Sequence, residues 1–407
     1  MDLTFSQEHQ DFRKQVQGFL EEHKGTAPNM KAVNGTSSAP TPSVKRWQHI
    51  LIENGYTART IPKEYGGYGG EADLIKGLII QEEFIAADVS TGLTGQGISM
   101  LVPTLLELGT EEQKRKWISA TIRGDVVWCQ GYSEPGAGSD LASLKTKAVI
   151  EGDQFVINGQ KIWTSSAHFS DMCFILVRTE PDAPKHHGIS YLLMPMTTQG
   201  IEVRPLVTIT GDAMFNEMFL TDVKIGSDQL VGERGKGWMV ANATLKHERG
   251  MIGNPAQTEA NLNALIKLMK AETCDGIRAV DMPVFRDRLM RLQGRLLGLK
   301  LHSLRLLSDD LNGKAPDHGG LIVKYSTAYL NHELYSLGVD VMGELGTLYG
   351  GDAYQSELDW QKMFLGSFSS IIGGGTAQIQ KNVISERGLG MPREPRVTMG
   401  AKGWAMM

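Results

Sequence analysis

Apolar residues at Phe5, Phe12, Val16, Phe19 and Leu20 recur at near-helical spacing and predict an amphipathic helix over residues 3–23. Residues 25–43, rich in Ala, Pro, Ser, Thr, Asn and Gly, read as a loop. Helical spacing returns over 44–54 and 74–87, with Tyr65-Gly66-Gly67-Tyr68-Gly69-Gly70 as a turn-rich connection between them. Thr110 followed by Gln113 is a capping-box signature that opens a helix running through Arg123. Near residue 126 the period shortens. Residues 145–150 and 155–157 flank Glu151-Gly152-Asp153 as a hairpin, Asn158-Gly159 gives a second tight-turn signal, and 160–165 follows as a strand. Further strands are predicted at 173–178, 189–194, 201–206 and 217–220, a density that suits a small barrel or sandwich. From about residue 235 the pattern returns to long helices at 238–270, 284–311, 322–342 and 355–369, with a last one over 376–387. The expected fold is α+β in three blocks: an N-terminal helical domain (1–125), a central small β-barrel domain (126–234) and a C-terminal helical bundle (235–407).

Composition narrows the class. A chain of 407 residues exceeds one ordinary core, so two or three domains are expected. With 41% hydrophobic and 21% charged residues it has the balance of a soluble globular protein. The net charge of −5 comes from mixed signs spread along the chain, which argues against a nucleic-acid partner. Cys129, Cys173 and Cys274 lie far apart and form no CxxC pair, which fits a reducing compartment. The acidic start lacks the apolar core of a secretory signal, and no stretch approaches the ~20 apolar residues of a membrane span. A cytoplasmic protein without membrane insertion is expected. His186-His187 has no accompanying carboxylate or cysteine set, so no metal is expected.

The densest chemistry lies in Tyr132-Ser133-Glu134-Pro135-Gly136-Ala137-Gly138-Ser139-Asp140. Glycines on either side of Ala137 let a backbone come close to a ligand, and exposed N–H groups there suit a phosphate. Taken alone, the segment reads as an ordinary Gly-rich surface turn, since it lacks the strand–turn–helix setting of a dinucleotide fingerprint. Trp163 alone reads as a core tryptophan, and Glu248 among Lys246, His247 and Arg249 as a solvated helix face.

Three segments in order change that balance. The loop 132–140, then Gln160-Lys161-Ile162-Trp163-Thr164-Ser165, then Gly374-Gly375-Thr376-Ala377-Gln378-Ile379-Gln380 resemble the signatures of the acyl-CoA dehydrogenase family. The order of helical, β and helical blocks resembles it too, and the pimeloyl-CoA dehydrogenase large-subunit type is the most similar branch. The resemblance implies FAD as cofactor. It places Tyr132 and Ser133 at the isoalloxazine ring, Gly138 and Ser139 along the pyrophosphate, and Ser139 also near the CoA arm. It packs Trp163 on the ring, sets Thr164 and Ser165 near N5 and O4, and brings Thr376 and Gln378 to the phosphates and adenine end.

Removing an α-hydrogen beside a thioester requires a placed carboxylate and stabilisation of the enolate-like oxygen. Many family members carry that glutamate where this chain has Gly374. Other branches carry a Glu-Arg pair on the first long helix of the bundle, and Glu248-Arg249 matches it. The resemblance therefore implies Glu248 as general base, Arg249 lining the substrate cavity, and the Gly374 N–H with a ribityl hydroxyl holding the thioester oxygen. The β-hydrogen passes to flavin N5, the product is a trans-2-enoyl-CoA, and electrons leave for an electron-transferring flavoprotein or a similar acceptor. Met282 replaces an Arg that reaches a neighbouring subunit's FAD in several members, and residues 340–346 replace a Gln/Gly-Gly segment. A homo- or hetero-oligomer, dimer or tetramer, is expected, with a different interface or a second kind of subunit. The alternatives are an acyl-CoA oxidase using oxygen, and a non-catalytic partner subunit that binds FAD or CoA esters.

Overall fold

The computed structural model describes residues 5–23, 25–28, 38–251, 255–312, 314, 319–349, 358–394, 397–400 and 403–406. Residues 29–37 of the expected N-terminal loop lie outside them, as do the side chains of residues 248–250. The chain forms two compact units, residues 1–251 and 252–407.

The first unit opens with helices α1 (Gln7–His23), α2 (Pro42–Glu53) and α3 (Leu74–Ala86). Thr41 caps α2 and Asp73 caps α3, each side chain accepting an N–H of the first turn. Val16, Leu20, Trp47, Leu51, Ile79 and Phe84 close a core between them. A helix absent from the sequence expectation, α4 (Val102–Leu108), precedes α5 (Glu111–Ile122). At α5 the Thr110–Gln113 capping box forms as expected, both reciprocal bonds being present.

The β block is one eight-stranded sheet: β1 (Trp128–Gly131), β2 (Lys147–Glu151), β3 (Gln154–Lys161), β4 (Met172–Arg178), β5 (Ile189–Pro195), β6 (Ile201–Leu206), β7 (Phe215–Gly226) and β8 (Leu230–Val231). They pair in the order β6-β7-β3-β2-β4-β5-β8, and β1 lies parallel to β4. Period-2 alternation divides β4 between two cores. Cys173, Ile175 and Val177 meet Phe155, Ile157, Met218 and Val223 in the interior of the curled sheet. Phe174 and Leu176 face Leu105, Ile118, Val240 and Ala241 of the helices. Burial on both faces explains the unbroken apolar run of β4.

Asn158-Gly159 makes no turn. It lies inside β3, and the register against β7 shifts there, a bulge that leaves the strand continuous. The helix expected over 238–270 is two helices, α6 (Gly237–Met251) and α7 (Pro255–Ala271). Pro255 lacks the N–H needed to continue a helix but is well suited to open one.

The second unit packs α7 with α8 (Pro283–Leu311), α9 (Gly319–Val341), α10 (Trp360–Ile372) and α11 (Ala377–Val383). Leu265, Met269, Leu296, Leu334, Leu337 and Trp360 fill its core. Helix α10 starts at Trp360 because Asp359 caps it; the expected start at residue 355 lies outside the described residues. No described helix is long and apolar enough to cross a membrane.

Candidate functional site

In the first unit, two of the three sequence segments meet at the end of β3. The Ile162 N–H donates to the Ser133 carbonyl at 2.9 Å, fastening the glycine loop to the strand that carries Trp163. Within the loop, Glu134 and Ala137 exchange reciprocal N–H···O bonds of 3.0 Å across Pro135-Gly136, a tight turn. Tyr132 is buried, its ring set edge-on to Phe174 and Tyr191 at 5.9 and 6.3 Å. Its ring is therefore turned into the core, away from the loop's outer side. Ser133 is half-buried, while Gly138 and Ser139 are exposed.

What holds this loop is a residue pair that motif reading missed. Lys161 is fully buried, and its Nζ donates to the Tyr132 carbonyl at 3.0 Å and to Glu134 Oε1 at 2.9 Å. Glu134 also accepts the backbone N–H groups of Lys145 and Thr146 at 2.6 and 2.8 Å. Burial raises the Glu134 carboxyl, but the Lys161 charge and these N–H donors outweigh it and hold the group below its ordinary range. Burial dominates on Lys161, whose pKa is pulled down despite its carboxylate partner. The signal was present in the alternation of β3. Phe155, Ile157 and Lys161 share one phase, and an inward lysine demands a buried carboxylate. Arg178 was missed too; it donates to the carbonyls of Ala142 at 2.7 Å and His187 at 3.0 Å, tying down the chain beyond the loop.

Trp163 is the opposite of a core tryptophan. It is 57% exposed, and its backbone sits at φ 61, in the left-handed region where a bulky residue is strained. Phe215 braces the ring edge-on at 5.9 Å. Thr164 is fully buried: its N–H donates to the Asn216 carbonyl at 3.0 Å and its own carbonyl accepts Asn216 Nδ2 at 2.9 Å. Its Oγ1 is buried and meets no partner among the described residues. Ser165 beside it is half-buried.

Glu248 and Arg249 lie in the closing turns of α6, one helical turn beyond Thr244. Thr244 is buried and shares a 3.0 Å hydrogen bond with Thr104, while His247 Nε2 stands 4.0 Å from Glu107 of α4. His186 packs its ring against Trp238 at 5.1 Å. No group of three or more His, Cys, Asp or Glu among the described residues suits a metal.

The third segment lies in the second unit. Gly374 and Gly375 take φ values of 63 and 86, and Thr376 caps α11 by accepting the Ile379 N–H at 3.2 Å. Gln378 is exposed on the first turn of that helix.

Family models cover nearly all of this architecture. The acyl-CoA dehydrogenase N-terminal domain matches residues 6–125, the middle domain 129–223 and the C-terminal domain 235–389. Acyl-CoA dehydrogenase IpdE1 of Mycobacterium tuberculosis is 37% identical over 397 residues, covering 96% of this chain and all of its own length. The chain belongs to the acyl-CoA dehydrogenase family. IpdE1 of Mycolicibacterium smegmatis is 35% identical over 403 residues, 95% of this chain and 99% of its own. Among solved structures, the Tcur3481-Tcur3483 steroid ACAD has a TM-score of 0.81 at 27% identity, covering 97% of this chain and 100% of its own. The ChsE4-ChsE5 complex from Mycobacterium tuberculosis has a TM-score of 0.79 at 29% identity, with coverages of 97% and 100%. The protein is thus an oxidoreductase of the acyl-CoA dehydrogenase kind, and the family's members are flavoproteins.

The residues present fit such a group. Gly136 and Gly138 have ordinary backbone angles, and a Cβ on either would meet nothing within 4 Å. The fold itself does not require glycine there, whereas a ligand pressed against the loop would. Exposed Trp163 offers an apolar ring face, and Thr164 Oγ1 is a donor left unmet among the described residues.

Proposed function

We propose that the chain binds FAD against the loop 132–139 and Trp163, and that it oxidises an acyl-CoA thioester between its α and β carbons to the trans-2-enoyl-CoA. The observation that carries the reading is Trp163, an exposed aromatic held in strained backbone beside a loop whose glycines the fold does not need. The Tyr132 and Ser133 backbone, with Ser165, would hold the ring. Gly138 and Ser139 would lie along the pyrophosphate, Ser139 also near CoA, and Thr376 and Gln378 toward the adenine end. When bound, FAD supplies the two-electron acceptor for the β-hydrogen.

The chain's own part is proton and charge management. Glu248, held on a helix rather than a loop, takes the α-proton. Gly374 has no side chain to compete for that role, and its N–H meets the thioester oxygen as negative charge grows there, which stabilises the transition state more than the ground state. Arg249 lines the acyl cavity. The steroid ACAD among the structural relatives favours a ring-bearing acyl chain, and the ChsE4-ChsE5 complex favours assembly with a second, different subunit. Electrons pass to an electron-transferring flavoprotein, and the functional blocks divide near residues 125 and 234.

Anaerobic flavin bleaching with a panel of fatty, branched, dicarboxylic and ring-bearing acyl-CoAs tests this reading. At least one thioester is expected to bleach the wild type, and Glu248→Gln should slow that bleaching by at least about a thousandfold. Rapid bleaching in Glu248→Gln would remove Glu248 from the mechanism. Failure of every thioester would favour a non-catalytic subunit, and rapid reoxidation by oxygen an oxidase.

A further inference from the structure

The glycine segment ahead of α11 is held from two sides by side chains to which the mechanism gives no task. Lys324 on α9 is only 2% exposed, and its Nζ donates to the Gly375 carbonyl at 2.8 Å. Gln380 on α11 is 4% exposed and donates from Nε2 to the Gly374 carbonyl at 3.2 Å. Stripping water from an ammonium carries a desolvation cost that an apolar side chain of the same volume would avoid. A lysine at this depth implies that its bonds matter.

Peptide planarity turns these bonds into a direction. In a trans peptide the C=O and N–H point opposite ways. With the Gly374 and Gly375 carbonyls drawn toward Gln380 and Lys324, the N–H groups of Gly375 and Thr376 point away from those side chains. The left-handed angles of Gly374 and Gly375 permit this bend without strain. Among the described residues, no acceptor meets the N–H of Gly374, Gly375 or Thr376. The result is a short edge of donors, unmet among the described residues and fixed from behind.

We propose that Lys324 and Gln380 are positioning residues for the acyl thioester. They set the backbone of residues 374–376 so that its donor edge faces the thioester oxygen when the α-proton leaves. Neither side chain touches the substrate. The proposal rests on the reading that the Gly374 N–H meets that oxygen: the two carbonyl bonds fix the peptide planes that follow Gly374, and so the place of the Cα beside which that N–H projects.

Acetoacetyl-CoA is the probe, because its α-proton is acidic, its enolate absorbs in the ultraviolet, and its ketonic β-carbon cannot be dehydrogenated. A pH titration of the probe on the holoenzyme gives the apparent pKa of the bound enolate. The wild type should lower that pKa relative to free solution. Lys324→Met and Gln380→Leu should each raise it by about one unit, a tenfold fall in enolate at a given pH. Binding of CoA itself and the holoenzyme melting point should stay unchanged, and Lys324→Arg, which keeps a donor, should recover most of the effect. Gln380→Leu, the smaller change, carries the test should Lys324→Met fail to fold. Variants that keep the wild-type enolate pKa, or lose only thermal stability, would overturn the positioning role. A wild type that leaves the probe's pKa unmoved would instead overturn the Gly374 reading, and the positioning role with it.

Discussion

Two glycine-rich segments, 132–140 in the first unit and 373–378 in the second, look alike in sequence and use their glycines differently. The first is anchored by charge: a fully buried lysine and a carboxylate lock Tyr132 and Glu134, while Gly136 and Gly138 face open space. The second also has a buried lysine, but takes its shape from its glycines: Gly374 and Gly375 occupy left-handed angles, and their carbonyls are tied to Gln380 and Lys324. The fold does not need glycine at Gly136 or Gly138, whereas the backbone angles at Gly374 and Gly375 demand it. A motif that records only residue letters cannot tell the two uses apart.

The largest expected effect breaks the anchor of the first segment. Glu134→Gln or Lys161→Met leaves one buried charge without its partner and should destabilise the protein by about 3–5 kcal/mol in denaturant unfolding. The pH dependence carries a sign. The folded Glu134 carboxyl lies below its ordinary value of 4.5, so its stabilisation is complete above that pH and is lost as pH falls through the folded pKa. Glu134→Gln should flatten that acid limb; a variant that keeps the full acid slope would show that other carboxylates carry it.

A middle-sized effect separates the glycines. Gly375→Ala puts a side chain at φ 86 and its Cβ 2.7 Å from Gln380 Nε2, so a loss of about 1–3 kcal/mol is expected. An unaltered melting curve would mean the bend relaxes freely. Smallest in stability is Trp163→Ala. The ring is exposed, so unfolding free energy should move by no more than about 0.5 kcal/mol. FAD affinity should nevertheless fall by at least about tenfold, measured by titration of the apoprotein; unchanged affinity would return Trp163 to the role of a surface residue.

The sequence made the block order, the Thr110 cap and most strands legible, because these depend on local period and capping. It failed where a distant partner or a single backbone angle decides. Asn158-Gly159 carries a turn signal, yet pairing with β7 holds β3 straight through it. Periodicity alone ran one helix over 238–270, where Pro255 opens a second. At the candidate site, the resemblance singled out Trp163 and the loop, but the exposure and strain of Trp163 became visible only in three dimensions. Lys161 was quoted as part of a motif, and only its burial shows that it is the loop's anchor. Lys324 had no local signal at all, since its partner lies 51 residues away.

The most direct test of the cofactor face is Gly138→Val, examined for unfolding free energy in the apoprotein and for FAD affinity by titration. The space around Gly138 is open, so apoprotein stability should stay within about 0.5 kcal/mol of wild type while the FAD Kd rises at least about tenfold. An unchanged FAD Kd in a well-folded Gly138→Val protein would contradict the assignment of this loop to the cofactor.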